Sequence, residues 1–320
     1  MIPFNYNISM YQNFNRRQFV KQAVIFLSSL EGLKSFAFAP ETQGNFKYVY
    51  GNDKLSNDFF PFLVNVFHLF PEKELHELIK KAQSKHVSDE QIYKEVQGQI
   101  SKIKPLLGDL TYALPALKKQ KKIMGKQTQN LLGDQKEING YLEIGSYGRY
   151  LDNLEERFSI ENIVLMDEKE PGFGPIDIVE RGQIRKAGKH IGFNDYAPIA
   201  LKSNSFDLAT MYIGMHHCPV SLRDDFLQNI RQSLTKDGSF IIRDHDAHNE
   251  TQSRFVALAH DVFNMGTMES WNFNLKERRN FYSLEFLDRL MLKNGFKRAS
   301  EHIYQPGDPT KNALMRYIKA

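Results

Sequence analysis

The C-terminal part of the sequence alternates short apolar runs with helical stretches, and this alternation restricts the fold more than any other feature. The helical stretches fall at about 147–158, 221–234 and 284–294. The apolar runs are rich in β-branched or aromatic residues and fall at 141–144, 163–166, 206–213, 239–242 and 314–318. Strands that alternate with helices predict an α/β fold, with an open, doubly wound, mostly parallel sheet covered by helices on both faces.

The residues before 136 have a different pattern, which is that of a helical region. "PEKELHELIKKAQ" begins with Pro71 and early acids, and in "SDEQIYKEVQGQISKI" Ser88 and Gln91 occupy capping-box positions. A lysine-rich stretch over 117–140 then predicts a further helix and the approach to a new domain. We therefore predict a helical N-terminal region over 41–135 and an α/β domain over 136–320, which a chain of 320 residues has the length to form.

Residues 1–40 suggest two interpretations. Arg16 and Arg17, followed by Phe19 and an apolar stretch, resemble a twin-arginine export signal. The alternative is an amphipathic first helix that Asn15 caps. A cytoplasmic protein is the favoured expectation and export to a periplasm is the alternative. No apolar run reaches 18 residues, so the sequence predicts no membrane span.

Composition excludes some functions and leaves others open. A formal charge of +4 neither requires nor excludes a nucleic-acid partner. Because Cys218 is the single cysteine, an internal disulfide and a multi-cysteine zinc site are both excluded.

A glycine turn follows the first predicted strand of the α/β part. In "YLEIGSYGRY" Gly145 and Gly148 come directly after an apolar run, and Asp167 ends the next run, 22 residues beyond Gly145. Open α/β sheets bind ligands at the carboxyl ends of their strands, where an acid at this spacing accepts hydrogen bonds from ribose hydroxyls. The glycine fingerprints for a pyrophosphate or a triphosphate are missing, so a ligand with ribose but no phosphate fits best.

From residue 141 onward the chain resembles class I S-adenosylmethionine-dependent methyltransferases of the small-molecule type. The similar segments are "LEIGSYGRY", "VLMDEKE", "NDYAPIALKSNSFDLATMYIGMHHCP" and "LTKDGSFIIRDHD". The resemblance implies a seven-stranded Rossmann-like sheet and S-adenosylmethionine as cofactor. It places the turn of Glu143, Gly145, Ser146 and Gly148 by the methionine part and Asp167 on the ribose. It also implies Asp195 on the adenine amino group, Tyr196 beside the ring, and Tyr212 and Gly214 along the cofactor channel.

The turn departs from the family pattern E/D-x-G-x-G-x-G. An ungapped alignment puts Tyr147 and Arg149 where the family has glycines, whereas a turn one residue shorter aligns Gly148 with the third glycine. The shorter turn leads directly into the helix, and we prefer it. It predicts that a bulky residue at Gly145 abolishes cofactor binding and that Tyr147 is replaceable.

Histidines supply the candidate catalytic groups. Methyl transfer from a sulfonium is an in-line displacement, and a base is needed only if the acceptor must lose a proton. His245 is the predicted general base, with Asp246 or Asp244 orienting it and His217 as a weaker candidate. A metal site is an alternative that we do not favour from the sequence, although six groups could converge: His216, His217, His245, Asp246, His248 and His260.

The predicted function is methyl transfer to a small, apolar or aromatic acceptor. Residues 249–282 form an insertion whose aromatic and methionine side chains either belong to the core or line the acceptor pocket. One alternative function is a degenerate methyltransferase fold that acts as a binding or interaction protein. A less favoured one is a nucleic-acid methyltransferase, suggested by five lysines: Lys118, Lys119, Lys121, Lys122 and Lys126. The sequence does not set the acceptor or the oligomeric state.

Overall fold

The computed structural model describes residues 44–67, 70–103, 114–146, 148–168, 170, 172, 188–212 and 214–320. The segment that resembles an export signal and the predicted replaceable residue Tyr147 lie outside these ranges, so both remain predictions. None of the described helices combines the length and the apolar composition that a bilayer span requires.

The region before residue 136 is helical over its described parts, as the sequence predicts. The Asn52 side chain caps the second helix by accepting a hydrogen bond from the Leu55 amide at 3.0 Å. The Ser88 hydroxyl accepts one from the Gln91 amide at 3.4 Å, which confirms the predicted cap. The helices are α1 (Asn45–Tyr50), α2 (Asp53–Phe62) with a π-helical turn (Leu63–Phe67), α3 (Glu72–Lys85), α4 (Asp89–Ile103) and α5 (Leu114–Leu132).

Strands and helices alternate through the rest of the chain. The elements are β1 (Glu137–Ile138), β2 (Tyr141–Ile144), α6 (Leu151–Glu155), β3 (Ser159–Ile160), β4 (Ile163–Asp167), β5 (Lys189–Gly192), β6 (Phe206–Met211), α7 (Arg223–Ser233), β7 (Leu234–His245), α8 (Glu250–Gly266), α9 (Trp271–Lys276), α10 (Leu284–Lys293), β8 (Phe296–Arg298), β9 (Ile303–Tyr304) and β10 (Asn312–Lys319). Two 3₁₀ turns, Met215–His217 and Val220–Leu222, connect β6 to α7.

The main sheet confirms the predicted fold class. Its strand order is β5-β4-β2-β6-β7-β10-β8, with β9 paired to β10 outside this path. The strands from β5 to β7 run parallel, and β10 is antiparallel to its neighbours. The chain builds outward in one direction from β2 and in the other from β6, so the topological switch point lies between these two strands.

Neighbouring residues on each central strand face opposite layers, because side chains alternate across a sheet. Leu142 and Ile242 belong to the core that α7 and α10 cover, whereas Tyr141 and Ile241 belong to the core beneath α5 and α6. Both faces of the sheet are therefore covered, as a mostly parallel sheet requires.

Helices α1 to α4 form a third core together with α8. The apolar face of α8 includes Phe255, Leu258 and Val262, all buried against these helices. In addition, the Asn45 side chain donates a hydrogen bond from Nδ2 to Asp261 Oδ2 at 2.9 Å. The apolar face of α8 thus serves as core, which was one of the two interpretations of the insertion. The opposite side of α8 is close to the end of β7, where the site lies.

Candidate cofactor and histidine site

The turn after β2 depends on two glycines. Gly145 has a φ of 74° and Gly148 a φ of 76°, in the left-handed region where a residue with a Cβ is strained. The Gly145 amide donates to the Met166 carbonyl at 2.7 Å, which fixes the start of the turn to β4. The turn therefore has no Cβ at Gly145 or Gly148, at the switch-point edge where a ligand of the sheet would approach.

The Glu143 carboxyl group holds this turn from inside the sheet. Its Oε1 accepts from the Ser146 hydroxyl at 2.7 Å and its Oε2 from the Tyr141 hydroxyl at 2.9 Å. The Tyr141 hydroxyl is also 2.8 Å from Thr210 on β6. Burial raises the pKa of Glu143 to about 7, against the hydrogen bonds from Ser146, Tyr141 and the Gly148 amide, which lower it.

This raised pKa predicts a specific pH dependence of stability. Because the folded pKa of Glu143 lies above the ordinary 4.5, its contribution to stability is complete below pH 4.5 and is lost as the pH rises through 7. The free energy of unfolding of Glu143→Gln, measured relative to that of the wild type, should therefore rise by about 3 kcal/mol from pH 4.5 to pH 8. Urea unfolding of both proteins at the two pH values measures this gain. Exposed Glu137 offers the control Glu137→Gln, and an equal gain in both variants would contradict the assignment.

The second turn of the site lies beside the end of β4. Asp167 is buried at that end, and its carbonyl accepts from the Phe193 amide at 2.9 Å, which holds the loop after β5 next to it. Within this loop Asp195 and Tyr196 have φ values of 44° and 65°. Left-handed conformations of residues other than glycine cost on the order of 1–3 kcal/mol each and cluster at functional sites.

The side chains of this loop are already engaged in the chain. Asp195 is half exposed and pairs with the Arg278 guanidinium. Tyr196 is buried, packs edge-on against Phe193 and Phe226, and donates its hydroxyl to the Gly214 carbonyl at 3.2 Å. Tyr196 therefore connects the second turn to the third.

The third turn follows β6. Gly214 has a φ of 87°, and a Cβ there would lie 2.5 Å from atoms of the His216 ring, so glycine is required on both counts. Tyr212 is buried, its hydroxyl is 3.0 Å from that of Thr128 on α5, and its ring packs edge-on against Tyr150. The Tyr212 hydroxyl thus faces the α5 layer, while the backbone of the turn lies at the switch-point edge.

Four histidines meet beyond this edge. The His216 ring centre lies 4.2 Å from that of His217, 5.0 Å from that of His260 on α8, and 5.5 Å from that of His245 at the end of β7. The Phe281 ring covers the group at 5.6 Å from His216. The sequence analysis named six groups that could converge, and the structure brings these four histidines of the six together.

Asp244 organises the cluster. Its Oδ2 accepts from the amides of Met215 and His216 at 2.7 and 3.2 Å, and its Oδ1 accepts from His216 Nδ1 at 2.7 Å and from the His245 amide at 2.8 Å. Burial alone would raise the pKa of this carboxyl, but the His216 ring and the hydrogen bonds hold it at about 2. A buried, ionised carboxylate thus ties the end of β7 to the turn after β6.

Burial determines the protonation states of the His217, His245 and His260 imidazoles. Burial, with help from the neighbouring His216, lowers the pKa of His217 to about 4 and that of His260 well below its ordinary value. The pKa of His245 is lowered to about 4, first by burial and then by His216. These three imidazoles are therefore neutral at pH 7, which leaves a lone pair on one ring nitrogen of each.

The structure corrects the expected partner of His245. Asp246 accepts from the Leu284 amide at 3.1 Å and from the Tyr304 hydroxyl at 2.9 Å, so it caps α10 instead of orienting the imidazole. His245 Nδ1 lies 3.0 Å from the Thr310 carbonyl. A carbonyl only accepts, so Nδ1 carries the proton. Half-exposed His248 pairs with Asp246 and lies outside the cluster.

Three charged residues of the site, Glu277, Arg278 and Arg279, had no role in the sequence analysis. Glu277 Oε1 is 3.4 Å from His260 Nδ1, and the Arg278 carbonyl is 3.0 Å from His217 Nδ1. Arg279 donates to Asp261 on α8 at 2.7 Å. In the sequence this stretch is a run of charges, which is typical of a solvated surface, and only the tertiary structure gives it a place.

Comparisons with known proteins give structural matches alone. No family model matches the chain, and no curated protein matches it. Among solved structures, the 1,6-didemethyltoxoflavin-N1-methyltransferase of Burkholderia thailandensis is 14% identical, with a TM-score of 0.43, over 64% of this chain and 79% of that one. A Thermotoga maritima protein described as an S-adenosylmethionine-dependent methyltransferase, possible histamine N-methyltransferase, is 17% identical with a TM-score of 0.41, over 65% and 91%. LepI in complex with S-adenosylhomocysteine and a substrate analogue is 16% identical, with a TM-score of 0.42. The match covers 60% of this chain and 46% of the LepI chain.

Proposed function

We propose that this chain binds S-adenosylmethionine at the carboxyl edge of its sheet and transfers the methyl group to a small acceptor. The supporting observation is the set of three turns along the carboxyl edge of the sheet, at Gly145–Gly148, Asp195–Tyr196 and Gly214, each with positive φ angles. The Asp195 and Tyr196 conformations cost free energy of folding, and the three glycines place backbone without a Cβ at the same edge, which a ligand site explains.

The cofactor contacts that we propose follow the strand order. Glu143, with the turn of Gly145, Ser146 and Gly148, lies by the methionine part, and Asp167 at the end of the adjacent strand binds the ribose hydroxyls. Asp195 meets the adenine amino group, for which its pair with Arg278 must open. Because the Tyr196 and Tyr212 side chains are buried, we assign them to the walls of the site and assign Gly214 to its floor.

The methyl acceptor would lie between this edge and the histidine cluster, against Phe281. His245 is our candidate general base, because its Nδ1 proton is held by the Thr310 carbonyl and Nε2 remains as the acceptor. A base with a pKa of about 4 is weak, so the arrangement suits an acceptor whose own proton leaves readily. We retain His217 as the alternative base and leave Asp246 only its observed capping role.

Transfer of a labelled methyl group tests the proposal. Purified protein with methyl-labelled S-adenosylmethionine and a small-molecule fraction of a cell extract should yield one labelled product. His245→Ala should lower the rate by roughly 100-fold if proton removal is required, while His248→Ala, outside the cluster, should not change it. Cofactor binding without labelling of any fraction would contradict transfer and support a binding protein.

That second candidate, a binding or interaction protein, has one observation in its favour. Glu143 accepts hydrogen bonds from Tyr141 and Ser146, and Asp195 is paired with Arg278, so two predicted cofactor ligands already have partners within the chain. The nucleic-acid alternative is weaker, because Lys121, one of the five lysines that suggested it, is buried in an ion pair with Asp152.

Since S-adenosylmethionine is made in the cytoplasm, the proposed function also favours that compartment over export.

A further inference from the structure

We propose that His216, His217 and His260 bind one divalent transition-metal ion of the zinc class. One ring nitrogen from each of these residues lies within 4.8 Å of the other two. Tetrahedral coordination at about 2.1 Å places ligand nitrogens roughly 3.4 Å apart, so small side-chain movements would complete the site. This inference does not depend on the proposed methyl transfer.

The hydrogen bonds of the three rings all leave the same nitrogen for a metal. His216 Nδ1 is 2.7 Å from the Asp244 carboxylate, His217 Nδ1 is 3.0 Å from the Arg278 carbonyl, and His260 Nδ1 is 3.4 Å from the Glu277 carboxylate. Metal-binding histidines almost always donate their other ring N–H to a carboxylate or a carbonyl, which fixes the tautomer and orients the ring. In all three histidines a carboxylate or a carbonyl therefore lies next to Nδ1, which leaves Nε2 as the ligand atom.

His216 provides an independent observation. Its side chain is only 5% exposed, and its Nε2 is buried without a hydrogen-bond partner among the described residues. A buried polar atom without a partner costs about 1–3 kcal/mol, and a bound ion is one of the explanations for such an atom in a native structure. A metal ion between the three rings would remove this cost.

The donor set indicates the class of metal. Imidazole suits zinc, copper, iron and nickel, whereas magnesium and calcium prefer oxygen ligands. Three protein ligands leave a fourth position open, as in zinc sites that bind a water or a substrate atom. The carboxylates of Asp244 and Glu277 next to the ligands also offset the charge of a dication.

Cobalt(II) titration of the full, untagged, metal-stripped protein tests this site without any enzyme assay. One equivalent should give the visible absorption of low-coordinate cobalt, and one equivalent of zinc should displace it. His217→Ala and His260→Ala should each weaken binding by roughly 100-fold or more, and Glu277→Gln by roughly 10-fold. His248→Ala is the matched control, because this half-exposed histidine lies outside the cluster, and it should bind as the wild type does.

Circular dichroism of each variant separates loss of the site from loss of the fold, and His217, with a side chain 28% exposed, is the safest to remove. Absence of stoichiometric cobalt binding by the wild type would overturn the proposal. The proposal would also be overturned if folded His217→Ala and His260→Ala bound cobalt as tightly as the wild type does. Metal binding without S-adenosylmethionine binding would reject the methyl-transfer proposal alone, and the reverse result would reject the metal site alone.

Discussion

Replacement of Gly145 by valine should abolish S-adenosylmethionine binding, with a loss of at least about 100-fold in affinity, or about 2.7 kcal/mol. Gly145 has a φ of 74°, and its amide is bonded to the Met166 carbonyl, so the turn cannot relax easily around a β-branched side chain. The new side chain would also occupy the space that a cofactor needs near the backbone. Isothermal titration of the variant measures the loss.

Gly133 provides the matched control for this substitution. It has a φ of 63° at the end of α5, and a Cβ built there meets nothing within 4 Å. Gly133→Val should therefore suffer a similar backbone strain, lower the free energy of unfolding, and still bind the cofactor. Equal affinities of the two variants would show that the Gly145 turn is not the binding site.

Asp244→Asn should lower the free energy of unfolding by about 3 kcal/mol, the largest stability loss that we expect from one isosteric change. Each Asp244 oxygen accepts two hydrogen bonds, from Met215 and His216 on one side and from His216 and His245 on the other. The asparagine side chain can replace either oxygen of Asp244 with its NH₂ group. In both orientations the NH₂ group, itself a donor, would face two of these hydrogen-bond donors in a buried position. Urea unfolding at pH 7 measures the loss.

Asp246 offers the same chemical change two positions further along. Its carboxylate is 17% exposed and accepts from the Leu284 amide and the Tyr304 hydroxyl, a group that can rotate to accept instead. Asp246→Asn should cost only about 1 kcal/mol. A loss as large as that of Asp244→Asn would mean that burial of the Asp244 carboxylate does not organise the site as described.

The sheet was predictable from the sequence where its strands are buried. The runs at β2, β4 and β6 are mostly apolar or β-branched, with a single acid in each, because both faces of these strands are covered. β5 and β8 were not predicted. Their sequences, "KHIG" and "FKR", are short edge segments in which apolar and polar residues do not alternate, and only Phe296 is buried. The strand order depends on contacts that no local pattern encodes.

The site was predictable in its location but not in its hydrogen bonds. Glycines and acids after strand ends indicated the switch-point edge, and the same strand-end logic brought His216 and His245 together. The Thr310 carbonyl that orients His245 has no sequence signal, because any residue supplies a carbonyl. Arg278 reaches Asp195 from a position 83 residues away, and such a pairing follows only from the packing of the insertion.

The most direct test of the central claim is isothermal titration of the wild-type chain with S-adenosylmethionine at pH 7. We expect saturable binding of one molecule per chain with a micromolar Kd, which is a binding free energy on the order of −8 kcal/mol. We also expect this binding to disappear in Gly145→Val and to persist in Gly133→Val. No saturable heat with the folded wild type, together with no change of its Tm when the cofactor is added, would contradict it.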